Sequence, residues 1–171
     1  MRVTELEFYP PYYSEAYKKL AQDIPLIHLL DQRQSYLNIY RAIPESQWAY
    51  SYETGKWSIQ KIVQHLIDAE LIFCFRALSV VRGEKKPLMG WDPDEYAATI
   101  DETTLSKEKL LVSFELQMKY THNLFSQFGV EDLKKIGNAN GFDTEVAAMG
   151  FSIIAHEMHH RQVIQERYLN N

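Results

Sequence analysis

Apolar positions recur at three- and four-residue spacing in four long stretches of the chain, and that period belongs to helices with one buried face. The first stretch starts near Ile24, carries Leu26, Leu29, Leu30, Leu37 and Tyr40, and ends about Ala42. Pro25 suits its opening turn, where a missing N–H does no harm, and Pro44 stops it. The second follows the N-cap Ser58 through Ile59, Ile62, His65, Leu66, Ala69, Ile72, Phe73 and Arg76 to about Val81, with Gly83 and Pro87 beyond its end. The third begins near Thr103 or Thr104, runs through Leu110, Leu111, Phe114, Met118, Thr121, Leu124, Phe125 and Phe128, and stops at Gly129. The fourth is capped by Asp143 or Thr144 and reaches about Leu169.

The connections are legible too. The first 23 residues hold Pro10, Pro11 and a cluster of tyrosines, which predicts an irregular lead-in with a short helix and a packing role. Residues 44–57 are rich in turn formers and aromatics. The connection from Arg82 to about Thr103 exceeds the usual loop, and such loops often carry function; it could roof a pocket. The polar stretch Glu131–Gly141 reads as a loop, and neither a convincing strand nor an internal repeat is present. The expected architecture is an all-α four-helix bundle, residues 1–171 forming a single domain.

The fourth helix holds three of the six histidines within five residues, in the run His156-Glu157-Met158-His159-His160. At about 100° per residue, Met149, Ile153, His156, His160 and Val163 form one stripe, while Glu157 and His159 lie about 80° off it on opposite sides. His156 and His160, spaced i,i+4, bring two imidazoles to one face about a turn apart. They lie in the seam that faces the core. Burying a polar group without a partner costs a few kcal/mol, so the pair needs either hydrogen bonds or a metal. In the second helix His65 shares the apolar line of Ile62, Ala69 and Ile72. His28 has no second histidine at helical spacing and reads as surface or packing; His122, at the edge of the third helix's stripe, is a reserve ligand.

Composition excludes several classes of function. Apolar residues make up 46% and charged residues 24%, ordinary for a globular domain. The net charge of -5, with scattered lysines and arginines, offers no basic face for nucleic acid. No apolar run approaches the roughly 20 residues needed to cross a bilayer, and the N-terminus does not read as a signal peptide, so a cytoplasmic location is expected. The single cysteine, Cys74, sits in an apolar run and reads as buried.

A bundle can build a metal site from side chains on facing helices, and His65, His156 and His160 would supply three neutral nitrogens. Three protein ligands with an open position mark a catalytic rather than a structural metal. Imidazole suits zinc, nickel, copper and iron alike. The string from His156 to His160 also satisfies the HExxH pattern of zinc proteases. Only 11 residues follow it, too few for a distant downstream glutamate. Val163 and Glu166 stand where the extended pattern needs glycine and a third histidine. Glu157 and Asp68 are the candidate catalytic carboxylates, each able to orient an imidazole or accept a proton; the alternative for both is a solvated helix flank. Arg76, Asp92 and Tyr96 are further candidates to line a substrate pocket.

Several motifs together resemble the DinB superfamily, including its YfiT-like metal-dependent hydrolases and bacillithiol transferases. They are Lys56-Trp57-Ser58-Ile59 leading into His65-Leu66-Ile67-Asp68-Ala69-Glu70, Phe75-Arg76-Ala77-Leu78, Arg82-Gly83, Pro87-Leu88-Met89-Gly90-Trp91-Asp92, and Gly150 to His160 closing with Glu166-Arg167-Tyr168-Leu169. The resemblance implies an up-down-down-up bundle, commonly a homodimer, with a nickel or zinc ion on His65, His156 and His160. It implies a metal-dependent transferase or hydrolase that activates a thiol or water toward a small electrophile, the thiol being one of low molecular weight. The alternative is a non-catalytic, stress-associated bundle that binds a metal or ligand.

Overall fold

The computed structural model describes residues 1–169, so the last two positions of the expected domain lie outside the described residues. Its helices are α1 (Ser14–Lys18), α2 (Leu26–Ala42), α3 (Ile59–Val81), α4 (Pro93–Ala98), α5 (Lys107–Ser126), α6 (Val130–Leu133) and α7 (Val146–Ile164). A hairpin of β1 (Ile136–Ala139) and β2 (Phe142–Glu145) sits between α6 and α7. Helices α2, α3, α5 and α7 form the bundle.

Two core clusters fix the direction of each helix. One gathers the start of α2 (Leu26, Leu29, Leu30), the end of α3 (Cys74, Ala77, Val80), the end of α5 (Leu124, Phe125) and the first half of α7. The other gathers the end of α2 (Leu37, Tyr40), the start of α3 (Ile59, Ile62, Val63), the start of α5 (Leu110, Phe114) and Ile164 of α7. Hence α3 and α5 run against α2, α7 runs with it, and the topology is up-down-down-up. The start of α3 therefore meets the end of α7.

Local chemistry places most helix ends where the pattern put them. Ser58 accepts from the Lys61 N–H at 3.2 Å and caps α3. At its other end Gly83 N–H donates to Val80 and Glu84 N–H to Ser79, the paired bonds of a Schellman stop. α2 begins at Leu26 with Pro25 as N-cap, slightly later than expected. α5 begins later as well, because Ser106 rather than Thr103 or Thr104 accepts from the third N–H of the helix; those threonines lie in a short 3₁₀ turn.

The stretch expected as a loop before the last helix is a correction. Residues 130–133 form a short helix, and residues 136–145 form the hairpin, in register Ala139 with Phe142. Its two-residue turn is Asn140-Gly141, with φ of 54° and 82°, the left-handed pair that favours a type I′ hairpin. Four-residue strands are too short to show alternation in the sequence. Asp143 and Thr144 consequently lie in β2, and the N-cap of α7 is Glu145. Its carboxylate accepts from the N–H groups of Glu7 and Phe8 instead, at 2.8 and 3.0 Å, and so pins the N-terminal segment.

α7 is buried at every position from Val146 to Ala155, so it is the central helix and its apolar face is not a single stripe. After Ile164 the chain continues as a wider π-type turn over Gln165–Leu169. No helix among the described residues is long and apolar enough to cross a membrane.

Candidate metal centre

Because α3 and α7 are antiparallel, His65 near the start of one lies beside His156 and His160 near the end of the other. The His65 Nε2 is 3.0 Å from the His156 Nε2, which is 3.1 Å from the His160 Nε2. One nitrogen from each ring lies within 4.8 Å of the others. A ring nitrogen carries either one N–H or one in-plane lone pair. The His156 Nε2 faces two nitrogens and can satisfy only one by hydrogen bonding. A shared cation resolves this: two nitrogens about 2.0–2.1 Å from a tetrahedral zinc are themselves about 3.4 Å apart, within a few tenths of the spacing seen.

Electrostatics point the same way. Burial pushes His65 from 6.5 down to about 4 and His160 to about 3. Burial, then the neighbouring histidines, hold His156 well below the ordinary value. All three rings are neutral at pH 7, with lone pairs free for a cation. The His65 Nδ1 is buried with no protein hydrogen-bond partner. The three residues fit a divalent ion, and the all-imidazole set is compatible with zinc, nickel, copper or iron.

Behind the triad lies a buried polar layer that includes Glu157, which the wheel sets about 80° off the stripe. Glu157 is 1% exposed and accepts from the Tyr40 hydroxyl at 3.0 Å and the Arg161 Nε at 3.2 Å, none of its bonds going to an imidazole. Burial raises its carboxyl above the usual range, against the pull of Arg33 and Arg161. Arg33 is fully buried and forks onto Glu70 at 2.9 and 2.7 Å, and the Thr121 hydroxyl gives Glu70 a third bond at 2.5 Å. Asp68 is half-buried and accepts from Gln64 at 2.8 Å. Neither Asp68 nor Glu157 lines the cavities beside the triad. His28 is exposed, and the half-buried His122 falls near the end of α5, which lies at the opposite end of the bundle.

In front of the triad is a cavity of about 400 Å³ lined by His65, His156 and His160 together with Trp57, Ala69, Phe73, Arg76, Trp91, Asn140 and others. The Trp57 ring centre is 4.9 Å from that of His65 and near-parallel to His160, while Trp91 stands 5.4 Å from His65 on another side. The long connection does roof the pocket, held by three anchors. Leu88 bridges to β1 through Asn138 and Asn140, and Arg76 donates to the Met89 carbonyl at 2.6 Å. Gly90 is the third, so close to the Asn140 amide that a Cβ there would lie 2.0 Å from its oxygen. Trp91 is thereby set over His65, with Tyr96 of α4 edge-on to it. Asp92 is spent on capping α4.

A second cavity of about 340 Å³ opens on the far side of Trp57 and shares His159 and His160 with the first. The wall residues Trp57, Trp91, Tyr12, Tyr13 and Asn140 were not among the candidates read from sequence. The signals available were the tryptophan beside the α3 cap and the Asn-Gly pair, both of which need tertiary contacts to acquire meaning. The tyrosines come from the N-terminal segment, which does more than pack: Tyr17 anchors it by donating into α7, and Tyr12 and Tyr13 reach the cavity.

Fold and site define an up-down-down-up helical bundle with one histidine on its second long helix and two on its last, gathered at one end. The DinB superfamily model matches residues 28–164, and the chain belongs to that family. Among solved structures it is similar to YfiT from Bacillus subtilis, described as a probable metal-dependent hydrolase with an unusual four-helix bundle topology. Identity is 19%, TM-score 0.70, over 86% of this chain and 90% of that one. It is also similar to the mycothiol-dependent maleylpyruvate isomerase at 16% identity and TM-score 0.65, over 81% of this chain and 60% of that one. The chain thus spans less than two thirds of the isomerase. No curated protein matches the sequence.

Proposed function

We propose that this protein is a metal-dependent enzyme that holds a divalent ion, nickel or zinc, on His65, His156 and His160 and activates a thiol or water toward a small electrophile. The carrying observation is the convergence of three neutral imidazoles, one of whose nitrogens faces two others at 3.0 and 3.1 Å, on a cavity of about 400 Å³. When bound, such an ion supplies a positive centre that lowers the pKa of a coordinated water or thiol toward neutrality.

The chain's own residues define the rest. Trp57 and Trp91 shield the reacting end from solvent, and Arg76 and Asn140 offer polar contacts in an otherwise aromatic cavity. Glu157 acts as a positioning residue: the bond it accepts from Tyr40 of α2 sets the rotation of α7 and so the aim of His156 and His160, while Arg161 of α7 itself balances its charge. The thiol chemistry draws support from the mycothiol dependence of one structural neighbour, and the metal from the description of the other. Exposed apolar side chains on the outer faces of α3 (Leu71, Phe75) and α5 (Val112, Leu116, Tyr120) support a homodimer.

Elemental analysis of untagged protein, paired with a His156→Ala, His160→Ala variant, tests the centre. About one equivalent of metal per chain, lost in the folded variant, is the expected result. A folded chain that takes up neither zinc nor nickel on titration overturns the reading. Thiol and electrophile consumption by the loaded protein, against the metal-free control, then separates an enzyme from a binding protein.

A further inference from the structure

The buried and half-buried arginines of the bundle differ in how their charge is met. Arg33 is matched by Glu70 and Arg161 by Glu157. Arg76 is only 6% exposed, yet among the described residues it has no ion pair: one Nη2 bond goes to the Met89 carbonyl, and its guanidinium lies 5.9 Å from the Phe73 ring centre. A guanidinium carries five N–H donors, so one carbonyl leaves most of them unspent. Burying an unpaired cation is costly, and such groups normally find an anion. Desolvation accordingly holds Arg76 below the usual arginine value.

The unspent side of Arg76 belongs to the cavity. His65, Ala69, Phe73 and Arg76 occupy one stripe of α3 and together line one wall. Position 69 is alanine, which leaves the hollow open between the imidazole and the guanidinium. Among the described residues no carboxylate side chain lines the cavity. His65 and Arg76 are eleven residues apart, about 16 Å along the helix axis, shortened by the lean of helical side chains toward the N-terminus. The walls between are aromatic, with Trp57 and Trp91 near the triad and Tyr12 and Tyr13 among the remaining lining residues.

We propose that Arg76 is an anion-binding residue and that the cavity takes an elongated organic carboxylate, its acid group paired with Arg76 and its other end at the three histidines. The guanidinium fork matches a carboxylate in two parallel bonds, so it orients the molecule as well as holding it. The carboxylate could belong to the thiol or to the electrophile. The assignment rests on the reading above only in taking this cavity as the place where the reacting molecule sits.

The test is calorimetric titration of phenylbutyrate and of phenylbutyramide, which has the same shape without the charge. It is run on the protein as isolated and again after chelation. The acid binds roughly ten- to a hundredfold more tightly than the amide in both states. R76M removes that preference while keeping amide affinity; R76K retains part of it, as a point charge without the fork. Should R76M melt early, R76Q serves in its place. The proposal is overturned if acid and amide bind alike, if neither binds at millimolar concentration, or if the preference survives loss of the guanidinium. It is also overturned if chelation abolishes the preference, since the carboxylate then sits on the metal and the metal reading stands alone. The same preference in a protein that takes up neither zinc nor nickel on titration would sustain Arg76 while removing the metalloenzyme.

Discussion

Removing the Glu70 carboxylate measures how much of the bundle depends on its buried charges. Glu70→Ala deletes three bonds at 2.9, 2.7 and 2.5 Å and strands a guanidinium that is fully buried between α2, α3 and α5. An exposed pair such as Lys18–Glu15, with both side chains at least 70% exposed, is screened by solvent and contributes little. Breaking a buried one costs about 3–5 kcal/mol, mostly because the surviving charge has nowhere to go. For a chain of this size each kcal/mol moves the melting temperature by about 2–4 °C, so the expected loss is roughly 6–20 °C. The assay is urea and thermal unfolding of chelator-treated protein, which removes any contribution from metal linkage. The double variant Arg33→Met, Glu70→Met should recover most of the loss, since no charge is left unpaired. A loss below about 1 kcal/mol for Glu70→Ala refutes the reasoning. So does a double variant as unstable as the single one, which would place the cost in packing volume.

Two further outcomes follow from burial. In the metal-free chain the histidines are neutral when folded, His65 titrating at about 4 and His160 at about 3 against 6.5 unfolded. Their contribution is complete above pH 6.5 and is lost as the pH falls through that range, because only the unfolded chain takes up the protons. Urea midpoints should therefore fall between pH 6.5 and 4, and less steeply in His65→Leu; a flat profile contradicts the assignment. The Cys74 thiol is pushed from 9.0 up to about 12, chiefly by burial, so the stability it contributes holds below pH 9 and is lost as the pH rises towards 12. At pH 8 its thiolate is about a thousandfold scarcer than in the unfolded chain, and alkylation by iodoacetamide should be slower by at least that factor; rapid labelling of folded protein would show that the thiol is not buried.

The helices and the paired histidines were legible because they depend on local chemistry. A period of 3.6, a serine before an apolar run, a proline or glycine after it, and two imidazoles four residues apart carry their meaning within one turn of chain. So α3 could be bounded at Ser58 and Val81, and His156 and His160 assigned to one face, from residue order alone. The partners of those residues are set elsewhere. That His65 joins the pair follows from α3 and α7 running antiparallel, which the two core clusters decide. The same docking turns Glu157 inward, because α2 brings Tyr40 against that face of α7, which the wheel of an isolated helix cannot show. The hairpin depended on Asn140 and Gly141 adopting left-handed backbone, yet its consequence, a backbone ladder that holds Leu88 and seats Trp91 over the histidines, required a segment about fifty residues away in the chain. Sequence order therefore determined the elements and the chemistry they carry. Burial, which depends on what packs against each element, decided which of those groups became the site.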